Sequence, residues 1–127
     1  MRKYDVYDKV FKCHYRLYIN GTLEQFVKVA SQYVSKEAFD DIEDAPALCV
    51  TTADGGIILY VQEFDYDNPE SIASLTHECV HACQNRLLEA CGVPWQDKET
   101  PAYYVGFLML EFLSKIKNDK RKPTRNS

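Results

Sequence analysis

Residues 69–90 constrain the fold more than any other stretch, because their apolar positions recur at helical and not at strand spacing. With His77 set at 0° and about 100° per residue, Ile72, Leu75, Cys79, Ala82, Cys83, Leu87 and Ala90 fall roughly between 140° and 280°. One long helix with a single apolar stripe follows, and the chain must supply a surface for that stripe to cover. The opposite face carries His77, His81, Gln84, Asn85 and Leu88, which would line a cleft. Asn68 or Pro69 can start this helix, and Gly92 supplies a left-handed cap to end it.

The covering surface is predicted upstream. Residues 47–53 and 57–64 flank Asp54-Gly55-Gly56, a turn triplet tolerant of positive φ, and read as a hairpin. Residues 10–19 are rich in β-branched and aromatic types and form a first strand, broken by Asn20-Gly21. Thr22 with Gln25 is a capping box opening a helix over about residues 23–38. An acidic loop spans residues 40–46, and a last helix runs from about residue 99 or 101 to residue 117. The fold class is therefore α+β: one domain over residues 1–118, a small sheet with a hairpin packed on three helices. A flexible basic tail over residues 119–127 follows.

Composition narrows the function. A formal net charge of −4 gives no reason to expect nucleic acid or an acidic membrane as a partner. No apolar run reaches the roughly 18 residues a bilayer span needs, and the first residues carry no leader pattern. Five cysteines without a paired spacing fit a reducing cytoplasm. Cys79 and Cys83 fall on the apolar stripe, where free thiols act as small apolar side chains. His14 reads as an ordinary strand residue.

His77-Glu78-x-x-His81 carries the chemistry. Histidines four residues apart share one helix face, which suits two nitrogen ligands of Zn²⁺. Glu78, about 100° round the helix, misses such a metal but reaches a water bound to it, as a general base must. A catalytic zinc needs a third protein ligand, and Glu99, at the start of the last helix, is the strongest candidate. Glu99, Tyr103, Gly106 and Leu110 lie within roughly 60° of one another, so the last helix is expected to turn that face to the histidines. Tyr103, or less favourably Tyr104, is a candidate electrophile for a developing oxyanion. Asn85, Glu89 and Asp97 are the available acceptors for the imidazole N–H groups.

His77-Glu78-x-x-His81 followed by Glu99-x-x-Ala102-Tyr103 resembles the gluzincin pattern. The order of elements is similar to minigluzincins and to small phage-encoded metallopeptidase-like proteins. The resemblance implies a zincin-like fold with His77, His81 and Glu99 as zinc ligands and Glu78 as the base of peptide-bond hydrolysis. It also implies that the strand before the active helix, opening on Ile57 and ending on Phe64, is an edge along which an extended peptide substrate binds. The similarity to repressor-cleaving proteases of the ImmA/IrrE type is weaker. The competing expectation is non-enzymatic: a zincin-fold phage structural, assembly or interaction protein.

Overall fold

The computed structural model describes residues 1–40, 42 and 44–121. Four strands form one sheet: β1 (Arg2–Asp8), β2 (Cys13–Ile19), β3 (Ala47–Thr51) and β4 (Ile57–Val61). Their spatial order is β1-β2-β4-β3. β1 and β2 are antiparallel, β2 and β4 parallel, and β3 and β4 antiparallel. The helices are α1 (Leu23–Ala30), α2 (Pro69–Cys83) and α3 (Glu99–Asn118). A 3₁₀ turn covers Lys36–Phe39, and α2 runs on as a π-helical segment, Gln84–Ala90.

Both faces of the sheet are covered. On one face Tyr15, Leu17, Ile57 and Leu59 meet Leu75, Cys79 and Ala82 of α2 and Tyr104, Leu108 and Phe112 of α3. On the other, Tyr18, Ile58 and Tyr60 meet Phe26 and Ala30 of α1 and Phe39. β4 is buried along its whole length, as its unbroken apolar run requires of a strand covered on both sides. The hairpin closes where expected: Thr51 pairs with Ile57, Gly55 takes φ 86°, and the Thr52 N–H donates to the Gly56 carbonyl at 2.8 Å.

Three expectations are corrected. The strand of residues 57–64 ends at Val61 and is interior, paired with β2 and β3, so Ile57 to Phe64 is no peptide-binding edge. The edges are β1 and β3. The strand expected over residues 10–19 begins only at Cys13, because the Asp8 carboxyl accepts from the N–H of Val10 (2.8 Å) and of Phe11 (3.3 Å) and closes a turn there. β1 precedes it, with Tyr4, Val6 and Asp8 inside and Lys3, Asp5 and Tyr7 outside. The helix expected over residues 23–38 stops at Ala30, where the Ser31 hydroxyl donates back to the Val27 carbonyl at 2.6 Å. Among the described residues, no helix is long and apolar enough to cross a membrane. Most of the expected basic tail, residues 122–127, and residues 41 and 43 of the acidic loop lie outside the described residues.

Candidate functional site

α2 is held at its start by Asn68, whose side chain accepts from the Glu70 N–H at 3.0 Å, with Pro69 in the first turn. Buried Ser71 accepts from the Asp65 N–H at 3.0 Å and fixes the entry of the chain. Leu75, Cys79, Ala82 and Cys83 then turn to the sheet, and His77 and His81 are left exposed, as the periodicity requires. Their Nε2 atoms are 3.1 Å apart, with the rings edge to face. At that separation one nitrogen donates and the other accepts.

Glu78 turns the other way round the helix and is buried, with 6% of its surface exposed. Burial pushes its carboxyl above the ordinary range, and the neighbouring His77 and His81 pull it partly back. Among the described residues no hydrogen bond to this carboxyl is formed. It lies beside the edge strand β3: the Cys49 thiol, pushed up to about 12 first by burial, is raised further by Glu78. Cys79 is likewise pushed up to about 12 by burial, with Cys49 and Glu78 adding to it. These thiols are core groups, as the apolar stripe predicts.

The third ligand does not arrive. On α3, Tyr104, Leu108 and Phe112 are the buried stripe, and Glu99 lies nine residues before Leu108, roughly 180° from it. Glu99 is therefore exposed on the outer face of α3. Tyr103, 76% exposed, and Leu110, 66% exposed, share that face. The register is set by Tyr104, whose hydroxyl donates to Asp8 at 2.6 Å and meets the Tyr15 hydroxyl at 2.5 Å under the sheet. Of the expected second acceptors, Asp97 is occupied with capping α3, accepting from the Thr100 N–H (3.0 Å) and hydroxyl (2.7 Å).

Among the described residues no group of three His, Cys, Asp or Glu side chains is placed to hold a metal ion. The chain matches no family model, no curated protein and no solved structure. These findings overturn the zincin-like and gluzincin expectation. Zn²⁺ is not supported as a cofactor, zinc-dependent peptide hydrolysis is not supported as the activity, and the repressor-cleaving alternative falls with them. What stands is an α+β fold of three helices on a four-stranded sheet, with His77, Glu78 and His81 on one turn of α2.

Two features escaped the motif. The first is a cleft of about 840 Å³, which opens at the other end of α2 among Tyr4, Asn20, Glu63, Tyr66, Ser71 and Asp119. The second is Arg86, whose guanidinium donates to the Phe11 carbonyl (2.5 Å) and the Gly55 carbonyl (3.4 Å) and ties two turns to the π-helical segment. Arg86 falls near 180° on the helix, within the apolar stripe, so a cation among buried positions was itself the sign that partners must meet it there.

Proposed function

We propose that the chain is a non-catalytic protein-interaction module that takes an extended segment of a partner along the outer edge of β3. The observation that carries this reading is the edge itself. Ala47–Thr51 contains no charged residue, and among the described residues no strand pairs with its outer side. An apolar edge with unpaired backbone groups is a template for strand addition, and chains that do not use one guard it with charge or proline.

The ladder identifies the groups on offer. Thr52 N–H bonds to the Gly56 carbonyl and Gln62 N–H to the Pro46 carbonyl, both at 2.8 Å, so positions 46 and 52 are hydrogen-bonded pairs with β4. Antiparallel pairs alternate, which makes Leu48 and Val50 bonded to β4 and points the N–H and C=O of Ala47, Cys49 and Thr51 outward. The side chains of the same three positions face the α2 side of the sheet, where Ala47 and Cys49 join the core. A strand added to β3 would run past the α2 face that bears Glu78, with His77 and His81 at its rim. The Glu78 carboxyl, which no side chain among the described residues pairs, favours a partner with a lysine or arginine at the position it faces. Five free cysteines, three of them buried, support a reducing cytoplasm as the place of work.

The test is selection of extended peptides from a displayed library against the folded chain, followed by amide exchange. Protection at Ala47, Cys49 and Thr51 on binding supports strand addition. Selected peptides that protect other amides and leave these unchanged would sink it.

A further inference from the structure

The outer face of α3 is an unpartnered seam whose pattern reads the same from both ends. Glu99, Tyr103, Gly106, Leu110, Leu113 and Lys117 recur at alternating spacings of four and three, the seam spacing of two packed helices. Tyr103, Leu110, Glu99, Gly106 and Lys117 are exposed, and Leu113 is half-buried at the border of the core. Among the described residues nothing covers the centre of this face or explains its glycine. A side chain added at Gly106 would meet no atom within 4 Å, and glycine in a helix interior is unfavourable unless something approaches closely.

We propose that two copies of the chain associate through this face, with their α3 helices antiparallel about a twofold axis level with position 108. Reversing the helix about that position maps Glu99 on Lys117, Tyr103 on Leu113 and Gly106 on Leu110. Each pair is complementary: acid with base, aromatic with aliphatic, and the bulk of leucine into the gap left by glycine. Because the twofold repeats every contact, the interface has two ion pairs, one at each end. The ends of the seam lie about 27 Å apart along α3. Lys117 in the single copy stands 6.0 Å over the Tyr66 ring, a contact loose enough to yield to a carboxylate. This face lies on the far side of α3 from the sheet, so the pairing leaves the β3 edge open and does not depend on its use.

Sedimentation equilibrium of the full chain over a wide concentration range tests the proposal. The wild type is expected to show a reversible monomer–dimer equilibrium that weakens in high salt. Leu110→Glu is expected to hold the chain monomeric with its circular dichroism unchanged, since the position is outside the core. Glu99→Lys or Lys117→Glu alone should each weaken the dimer roughly tenfold, and the double reversal should restore it. Gly106→Ala should raise the thermal midpoint of the monomer and yet weaken the dimer. A wild type that is monomeric throughout, or a dimer indifferent to Leu110→Glu, would overturn the interface. A double reversal that fails to restore association would overturn the antiparallel register.

Discussion

β1 and β3 both end the sheet, and they are finished in different ways. β1 carries Lys3 and Asp5 on its exposed side, with Lys3 Nζ 3.6 Å and His14 Nε2 2.9 Å from the Asp5 carboxyl. Its ends are fastened to α3, through Tyr4, which donates to Asp119 at 2.7 Å, and through Asp8, which accepts from Tyr104 at 2.6 Å. β3 has five residues, no charge and, among the described residues, no such fastening, and it runs beside Glu78, whose carboxyl no hydrogen bond reaches there. An edge decorated with charge resists addition of another strand, and a bare one invites it. The contrast separates an edge built to end the sheet from an edge suited to receiving a partner.

The largest effect is expected where the bare edge is closed. Thr51→Pro removes an outward N–H without touching the β3–β4 ladder, and Thr51 is exposed. Affinity for selected peptides should fall more than roughly tenfold in titration calorimetry, with the unfolding midpoint little changed. From the other side, Asp8→Ala unfastens β1 from α3 and takes the carboxylate acceptor from the buried Tyr104 hydroxyl, leaving it the Tyr15 hydroxyl alone. Urea unfolding should then show a loss of about 2–3 kcal/mol with peptide affinity retained.

Glu78→Gln bears on the buried carboxyl beside β3. The folded-state pKa of Glu78 is raised by burial, so its ionised form is disfavoured by folding. The contribution to stability is whole below the unfolded glutamate value and is lost as pH rises through the raised folded one. The glutamine variant should therefore unfold at a higher temperature than wild type at neutral pH and converge with it in acid. The smallest effect is kinetic. Cys91 is exposed, whereas Cys79 and Cys83 are buried, so a thiol reagent should label Cys91 first in the native protein and the two α2 thiols only as it unfolds.

The helices and the hairpin were legible because each depends on neighbours in sequence. Thr22 and Gln25 form the capping box, Asn68 and Pro69 open α2, and Gly92 takes φ 70° after the π-helical segment. The stripe of α2 also came through, placing Cys79 and Cys83 inside and His77 and His81 outside. The expected site failed on a contact between distant residues. The periodicity of α3 permits either of two faces to turn inward, and the choice is made by Tyr104 reaching Asp8 and Tyr15. Once that face is in, Glu99 and Tyr103 are out. The edge reading of residues 57–61 failed against a mark the sequence does carry, the unbroken apolar run of an interior strand; what leaves no local mark is the parallel partner, β2.

Amide hydrogen exchange along β3 in the free chain shows whether its outer edge is open. Alternation is expected: slow exchange at Leu48 and Val50, whose N–H groups face β4, and fast exchange at Cys49 and Thr51, whose N–H groups face outward. Uniform protection across Ala47–Thr51 would contradict it, because something else would then already occupy the edge.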